Sequence, residues 1–266
     1  MNEYSFKGEG SFMKNEVVIV TGGSSGMGKY MAKKFAEEGA KVVITGRNEQ
    51  RLEQAKEEIL NGRELQVHTI QMDVREPDDV KRMVEDTITT YGTIDHLVNN
   101  AAGNFIVEAE KLSINGWRAV VDIVLNGTFY CSHAVGNYWI EAGKKGNILN
   151  MVATYAWDAG AGVIHSAAAK AGVLSLTRTL AVEWGRKYKF RVNAIAPGPI
   201  DRTGGAERLW ISEEAARRTI ESVPLGRLGE PEEIADLAYF ILNDAKYMNG
   251  EVVTLDGGQW LNQFPF

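Results

Sequence analysis

Short apolar runs alternate along the chain with longer segments in which apolar residues recur every three or four positions. The runs are rich in β-branched residues, and such runs are typical of buried strands in a parallel sheet. The longer segments have the spacing of amphipathic helices. The pattern predicts strands at Glu16–Val20, Lys41–Thr45, Leu65–Ile70, Ile94–Val98, Gly146–Val152, Phe190–Ile195 and Glu251–Leu255.

Strands that alternate with helices predict a single doubly wound α/β domain of the Rossmann type, with a central parallel sheet of about seven strands. Pro77 opens a helix, Ser113 has the position of an N-cap for a helix that runs to about Trp139, and an alanine-rich helix covers Val163–Tyr188. No linker-like composition divides residues 14–266. Residues 1–13 are interpreted as an N-terminal extension.

The segment at residues 201–227 follows the sixth strand and is long, charged and tryptophan-containing. Connections of this length are commonly functional when they have no regular structure of their own. We expect this segment to be a mobile lid over the substrate. A plain surface insertion is the alternative.

Composition narrows the class of protein. The chain has 266 residues, 44% of them apolar, and a net charge of −6, so neither nucleic acid nor an anionic membrane is an expected partner. No apolar run is long enough to span a membrane. The one cysteine, Cys131, cannot form an internal disulfide, which favours a cytoplasmic location. The histidines His68, His96 and His133 lack metal-ligand spacing, so no metal site is expected.

A glycine-rich loop, Thr21-Gly22-Gly23-Ser24-Ser25-Gly26-Met27-Gly28, joins the first strand to the first helix. Glycine there lets the backbone turn sharply and approach a pyrophosphate, while the N–H groups of the helix face the anion. A plain tight turn would also favour glycine, but the position between strand and helix favours dinucleotide binding. The expected contacts are Gly22, Ser24, Ser25, Gly26, Met27 and Gly28.

The end of the second strand indicates which dinucleotide is bound. An acidic residue at this point would accept hydrogen bonds from the ribose 2′-hydroxyl of NAD. The chain instead reads Thr45-Gly46-Arg47-Asn48. Arg47 can pair with a 2′-phosphate, although a solvated surface arginine is the plainer interpretation. Because the acidic residue is absent, NADP(H) is predicted rather than NAD(H).

The glycine-rich loop and the stretch Gly146–Gly172, which carries Lys170 on its helix, resemble the short-chain dehydrogenase/reductase family. The resemblance extends over Val17–Gly258 and includes the segments Asn99-Asn100-Ala101-Ala102-Gly103 and Pro197-Gly198-Pro199-Ile200. It implies a nicotinamide dinucleotide at the C-terminal ends of the strands. The further cofactor contacts that it implies are Asp73 at the adenine, Asn99, Ala101, Lys170, Pro197, Gly198 and Ile200.

The catalytic positions depart from the usual pattern of this family. Members that reduce a carbonyl group usually carry Tyr-x-x-x-Lys, but the residue four before Lys170 is Ser166. The usual serine and asparagine positions fall at Ala153 and Val124. A serine hydroxyl is shorter and less acidic than a phenol, so Ser166 cannot replace tyrosine as proton donor to an alkoxide. Interconversion of simple alcohols and ketones is therefore not expected.

Tyr155, at the predicted end of the fifth strand, and Asn104, after the fourth, resemble residues of the short-chain 2,4-dienoyl-CoA reductases, as do Ser166 and Lys170. The resemblance implies that Tyr155 and Asn104 bind the thioester oxygen. It also implies that Lys170 holds the nicotinamide ribose and that Ser166 supports the site. A dienoyl thioester that accepts hydride at its far alkene carbon gathers charge on this oxygen, so the protein has to supply an oxyanion hole. A 3-enoyl-CoA product in the β-oxidation of unsaturated fatty acids is implied.

Coenzyme A is anionic, so an acidic protein needs local cations to bind it. Arg75 and Arg208 match positions that the family uses for the nucleotide tail, and Phe105 and Ser113 match further substrate contacts. An ordinary surface charge is an equal alternative for each arginine. His165 adjoins the catalytic positions and could donate a proton, but a helix histidine with no visible partner is more often structural.

Other functions fit parts of the same pattern. A trans-2-enoyl-CoA reductase would use the same oxyanion hole and deliver hydride to a single alkene, whereas a non-catalytic NADP-binding regulator would bind cofactor without turnover. A reductase acting on acyl carrier protein is disfavoured, because its Tyr-x₆-Lys spacing requires tyrosine where this chain has Val163. Family members are commonly tetramers assembled through the two long helices, so a homotetramer is expected.

Replacement of Arg47 by alanine tests the predicted choice of cofactor. If Arg47 pairs with the 2′-phosphate, Arg47→Ala weakens NADPH binding by roughly 10- to 100-fold, the value of one or two charge-assisted hydrogen bonds. NADH, which lacks this phosphate, loses little affinity. Dissociation constants from nucleotide fluorescence titrations measure both effects. Equal losses for the two cofactors would contradict the phosphate-pairing role.

Overall fold

The computed structural model of the chain describes residues 13–203 and 212–262. Seven strands within these residues form one sheet: β1 (Val17–Thr21), β2 (Lys41–Gly46), β3 (Val67–Gln71), β4 (His96–Asn99), β5 (Asn147–Met151), β6 (Arg191–Pro197) and β7 (Val252–Leu255). Every pairing is parallel, in the spatial order β3-β2-β1-β4-β5-β6-β7. The predicted doubly wound α/β fold is confirmed.

Helices cover both faces of the sheet, as parallel strands require. Ile19 of β1 packs into the hydrophobic cluster on one face, whereas Val18 and Val20 pack into the cluster on the other. The α-helices of the described residues are α1 (Gly26–Glu37), α2 (Glu49–Leu60), α3 (Pro77–Tyr91), α4 (Ile114–Val121), α5 (Gly127–Glu141), α6 (Ile164–Tyr188), α7 (Glu213–Glu221) and α8 (Pro231–Tyr239).

The direction of winding reverses at β1, which lies between β2 and β4. In open sheets of this kind ligands bind in the crevice outside the carboxyl ends of the strands, at the reversal. The segments that follow β1 and β4 both begin there. The fold therefore brings the glycine-rich loop next to the segment Asn99–Gly103.

Several predicted boundaries are confirmed by the structure. α3 begins at Pro77, as predicted, and Ser113 is an N-cap whose hydroxyl accepts a hydrogen bond from the Gly116 N–H at 3.0 Å. The long helix predicted after Ser113 is interrupted by a π-helical turn at Asp122–Asn126, between α4 and α5. Such turns are frequent at functional sites. Val124, at the usual asparagine position of the family, is buried within this turn.

Two positions differ from the predictions. Met13 was assigned to the extension, but it is fully buried in the core, because a turn closed by the Glu16 N–H and the Met13 carbonyl folds it inward. Tyr155 does not end β5, which stops at Met151; it lies in the short 3₁₀ helix Thr154–Ala156. At the end of the strand the Met151 carbonyl accepts a hydrogen bond from the side chain of Lys170 on α6.

Parts of two predicted segments lie outside the described residues. These parts are residues 1–12 of the extension and residues 204–211 of the lid, which include Arg208. The described remainder of the lid segment contains α7. Within residues 13–203 and 212–262, no helix is long and apolar enough to cross a membrane.

Candidate active site

Two glycines allow the glycine-rich loop to lie directly against the segment that follows β4. Gly22 has a φ of +65°, and a Cβ atom there would stand 2.9 Å from the Cα of Ala101. A Cβ atom on Gly28 would stand 2.4 Å from the Asn100 Nδ2 and 2.5 Å from the Gly22 carbonyl oxygen. Side chains do not tolerate such approaches, so both positions require glycine.

Asn100 fastens the loop in this position. Its Nδ2 donates hydrogen bonds to the carbonyl oxygens of Thr21 at 3.0 Å and Gly22 at 3.1 Å. In return, the Thr21 hydroxyl accepts from the backbone N–H groups of Asn100 and Ala101, each at 3.0 Å. The predicted contacts did not include Asn100. The signal in the sequence was the second of two consecutive asparagines, because a side-chain amide can supply both donors that the loop carbonyls need.

The first turn of α1 has the features of an anion site. Ser25 occupies the N-cap without forming a side-chain cap, and no acidic residue lies in the first turn. The N–H groups of Gly26, Met27 and Gly28 therefore present the positive end of the helix dipole without a competing carboxylate. Thr203, from the segment after β6, lies 3.7 Å from where a Gly26 Cβ would be and covers this turn.

The end of β2 offers an unpaired cation. Arg47 is exposed, and its guanidinium has no hydrogen-bond or ion-pair partner among the described residues, whereas its carbonyl accepts from Gln71. The Ser24 hydroxyl is close by, 3.4 Å from where a Cβ of Gly46 would be. A hydroxyl and a free guanidinium at one strand end are suitable donors for a phosphate.

Asp73 and Arg75, predicted to contact adenine and coenzyme A respectively, pair with each other. The Arg75 Nε lies 3.0 Å from both carboxylate oxygens, and Nη2 lies 2.5 Å from one of them. This pairing, opposed by burial, lowers the pKa of Asp73 below its ordinary value. Both residues lie at the C-terminal edge of the sheet, but neither is free of the other. The Nη1 of Arg75 has no partner among the described residues.

The Asn99 side chain forms hydrogen bonds to other buried side chains. Its Nδ2 donates to Ser132 Oγ and to Asn150 Oδ1, each at 2.9 Å, and Asn150 in turn donates to Thr177 Oγ1 at 2.9 Å. The chain of bonds ties β4 and β5 to α5 and α6. The amide nitrogen is used in this way, whereas the buried Oδ1 of Asn99 has no hydrogen-bond partner among the described residues.

Lys170 is a buried cation on α6 with only 7% of its surface exposed. Its Nζ donates to the Met151 carbonyl at 2.5 Å, and no carboxylate pairs with it among the described residues. Burial without a counter-charge lowers the pKa of Lys170 to about 8. The ammonium form still predominates at pH 7, with two further N–H donors for a ligand.

The Tyr155 phenol lies against the serine that occupies the usual tyrosine position. Its Oη is 3.1 Å from Ser166 Oγ, and the ring packs over Gly160, where a Cβ atom would lie 3.2 Å from the Tyr155 Cβ. Burial raises the pKa of Tyr155, and the bond to Ser166 opposes this rise in part. The phenol is therefore protonated at neutral pH and is a hydrogen-bond donor.

Asn104 and Phe105 form the facing wall. The Asn104 Oδ1 accepts the Phe105 N–H at 2.9 Å, so the amide nitrogen is left without a partner among the described residues. The Val107 N–H donates to the Gly162 carbonyl at 2.9 Å and pins this loop to the one that carries Tyr155. The Phe105 ring stands edge-to-face to His165, with centroids 4.4 Å apart.

The segment after β6 closes the crevice. Gly198 donates its N–H to the Leu255 carbonyl at 2.9 Å and lies so close to Asp256 that a Cβ would stand 2.5 Å from that residue's Cβ. Ile200 is buried, and its carbonyl accepts from Thr203 Oγ1 at 2.9 Å. Pro197, the last residue of β6, thus leads into a rigid turn beside the glycine-rich loop.

These features define a class: an α/β dinucleotide-binding oxidoreductase whose second half is rich in hydrogen-bond donors. A family model described as enoyl-(acyl carrier protein) reductase matches residues 22–259. The chain belongs to the short-chain dehydrogenase/reductase family. The family uses nicotinamide cofactors, and the glycine cradle, the uncapped turn of α1 and the buried ammonium of Lys170 fit such a cofactor.

Relatives of stated function are similar over almost the whole chain. A probable 2,4-dienoyl-CoA reductase of Bacillus subtilis, named as (2E)-enoyl-CoA-producing, is 63% identical over 96% of this chain and 100% of its own. A peroxisomal 2,4-dienoyl-CoA reductase of Arabidopsis thaliana, named as (3E)-enoyl-CoA-producing, is 41% identical over 94% of this chain and 86% of its own. The crystal structure of a short-chain dehydrogenase from Bacillus anthracis has a TM-score of 0.87 at 64% identity and covers 95% of this chain and 100% of its own.

The lowered pKa of Lys170 predicts how stability depends on pH. The value is about 8 in the folded protein and 10.5 for an ordinary lysine, so between these values the unfolded chain binds more protons than the folded one. The contribution of Lys170 to stability therefore rises with pH through this window, by about 3 kcal/mol in total.

This contribution is measured by thermal unfolding of the protein and of Lys170→Met between pH 7 and pH 11, a range that includes both pKa values of the lysine. The melting temperature of the unmodified protein should gain on that of the variant as pH rises. A difference that stays constant across the window would contradict the lowered pKa.

Proposed function

We propose that the protein catalyses the NADPH-dependent reduction of a conjugated enoyl thioester, namely 2,4-dienoyl-CoA to 3-enoyl-CoA in the degradation of unsaturated fatty acids. One observation carries the proposal: a protonated phenol, Tyr155, is bonded to Ser166 at the position where carbonyl-reducing relatives have their tyrosine. The similarity to 2,4-dienoyl-CoA reductases supports the same substrate class.

NADP(H) rather than NAD(H) is the proposed cofactor. The exposed guanidinium of Arg47 has no carboxylate partner among the described residues, and the Ser24 hydroxyl lies near the same strand end. An anionic 2′-phosphate would satisfy both groups. The proposed cofactor contacts remain those predicted from the sequence, and Asn100 holds the glycine-rich loop in place.

The residues of the second half would stabilise negative charge on the substrate. The bound nicotinamide would supply the hydride. Tyr155 Oη–H and the unpaired amide nitrogen of Asn104 would donate to the thioester oxygen, on which charge develops when the diene is reduced at its far carbon. Ser166 orients the phenol, and the Lys170 ammonium, held by the Met151 carbonyl, would bind the nicotinamide ribose.

The position of protonation would decide the product. The resulting dienolate can accept a proton at the α-carbon, giving the 3-enoyl thioester, or at the γ-carbon, giving the 2-enoyl thioester. In this arrangement the Tyr155 phenol is engaged with the thioester oxygen, so water at the α-carbon is the proposed proton donor. Similar proteins carry names for both products, (2E)-enoyl for the relative from Bacillus subtilis and (3E)-enoyl for the one from Arabidopsis thaliana.

Coenzyme A and the quaternary structure complete the proposal. Arg75, through its remaining Nη1, and Arg208 would bind the anionic nucleotide tail, while Phe105 and Ser113 would line the path of the acyl group. Residues 201–227 would act as the lid. A homotetramer formed through the long helices is proposed on the basis of family resemblance.

Turnover of matched thioesters tests the reaction. With NADPH in excess, 2,4-hexadienoyl-CoA should be reduced much faster than 2-hexenoyl-CoA, measured by loss of NADPH absorbance. In ²H₂O, NMR of the product should place deuterium at the α-carbon. Faster reduction of 2-hexenoyl-CoA would assign the protein to the 2-enoyl-CoA reductases, deuterium at the γ-carbon would overturn the 3-enoyl product, and NADPH binding without turnover of either thioester would leave a regulator.

Removal of the Tyr155 hydroxyl tests the oxyanion hole. Tyr155→Phe should lower kcat for the dienoyl thioester by roughly 10²- to 10³-fold, as removal of one donor typically does, and should leave NADPH affinity nearly unchanged. Tyr247→Phe is a matched control, because that side chain is fully exposed. Stopped-flow and binding measurements on both variants supply the comparison. An unaltered kcat in Tyr155→Phe would exclude this phenol as a donor.

A further inference from the structure

His165 has a buried ring nitrogen that no described residue satisfies. The side chain lies in the first turn of α6 and is fully buried. Its Nε2 has no hydrogen-bond partner in the part of the chain that the structure describes. Buried polar groups without partners are rare, and each costs about 1–3 kcal/mol of stability. A ligand that bonds this nitrogen would remove the cost.

The other ring nitrogen of His165 fixes its tautomer. Nδ1 lies 2.8 Å from the backbone N–H of Ser166 and accepts its hydrogen bond. The residue at the N-cap of α6, Val163, has no side chain that can cap the helix, so this imidazole satisfies one of the free N–H groups of the first turn. Because Nδ1 is an acceptor, the neutral ring carries its proton on Nε2, which is therefore a donor.

The neighbours of His165 link it both to Tyr155 and to the loop that carries Asn104 and Phe105. Ser166, the next residue, holds the Tyr155 phenol at 3.1 Å. On the other side the ring of Phe105, 38% exposed, stands 4.4 Å from the imidazole centroid. Phe105 adjoins Asn104, whose amide nitrogen has no partner among the described residues. His165 is thus linked to the phenol through Ser166 and to the Asn104 segment through Phe105, and a group of donors of this kind suits an oxygen that becomes negatively charged.

A purely structural role accounts for Nδ1 but not for Nε2. Capping the Ser166 N–H requires only an acceptor, which asparagine supplies with a shorter side chain. The second nitrogen adds a buried N–H, and the perpendicular ring of Phe105 beside the imidazole could offer it no more than a weak N–H···π contact. A carbonyl oxygen of a ligand would compensate this donor fully.

We propose that the His165 Nε2–H is a third hydrogen-bond donor to the carbonyl oxygen of the acyl thioester. The inference rests on the proposed function and extends its oxyanion hole. His165 transfers no proton, because its Nδ1 is already an acceptor for Ser166. The Phe105 ring stands against the imidazole. In this proposal the Phe105 side chain moves away when the acyl group enters, and the His165 Nε2–H then donates to the thioester oxygen.

Two substitutions separate the nitrogens. In His165→Asn the amide oxygen takes the place of Nδ1 and keeps the cap, but the distal donor is lost. In His165→Gln the amide nitrogen reaches the position of Nε2. We expect His165→Asn to lower kcat/KM for 2,4-hexadienoyl-CoA by roughly 10- to 100-fold at unchanged melting temperature and NADPH affinity. His165→Gln should recover most of this loss. His68→Asn, on β3 beside Tyr91, is the control and should leave kcat/KM unchanged.

Several outcomes would overturn the assignment. Full activity of His165→Asn would exclude Nε2 as a donor, and parallel losses of activity and melting temperature in both His165 variants would leave a helix cap only. The affinity of the NADP⁺-loaded protein for saturated hexanoyl-CoA, by calorimetry, separates this inference from the proposed reaction. If the unmodified protein binds this thioester without reducing the diene, the reaction is wrong, and the His165→Asn affinity still tests the donor. If it binds no thioester, both are wrong.

Discussion

The close packing of the end of β1 against the end of β4 is the constraint on which the site depends. Asn100 and Thr21 exchange hydrogen bonds across this junction, and the junction closes only because Gly22 and Gly28 have no Cβ to separate the two segments. One junction therefore shapes the loop that receives phosphates and sets the origin of the segment that carries Asn104. The glycine-rich loop and the segment that carries Asn104 therefore share a single hydrogen-bonded junction.

The predicted catalytic residues in the second half of the site include one cation and three uncharged side chains, but no carboxylate. Lys170 is buried and bonds a backbone carbonyl rather than a carboxylate, and the side chains of Tyr155, Ser166 and Asn104 are uncharged donors. Among the described residues no carboxylate bonds any of these groups. Donors that no carboxylate engages favour an anionic ligand.

The tyrosine beside Ser166, Tyr155, comes from a different segment of the chain than the usual tyrosine of the family. Carbonyl-reducing members of the family carry the phenol on the helix, four residues before the lysine. In this chain the helix supplies Ser166, and the phenol arrives from the 3₁₀ turn that follows β5, ending 3.1 Å from the serine hydroxyl. The phenol now bonds a serine rather than acting directly beside the lysine, and its pKa is raised rather than lowered.

The sequence alone determined the order of strands and helices, since apolar periodicity and glycine, proline and serine at helix ends act locally, as at Ser113 and Pro77. It also identified the glycine-rich loop and the absence of tyrosine at position 166. Tertiary structure alone decided the clasp of Asn100, the internal use of Asn99, the pairing of Asp73 with Arg75 and the unsatisfied nitrogen of His165. The contacts of Asn99 and Asn100 join segments that are far apart in the sequence. The pairing of Asp73 with Arg75 depends on the local backbone after β3, and the His165 nitrogen on what burial leaves without a partner. The spacing of apolar and polar residues encodes none of these.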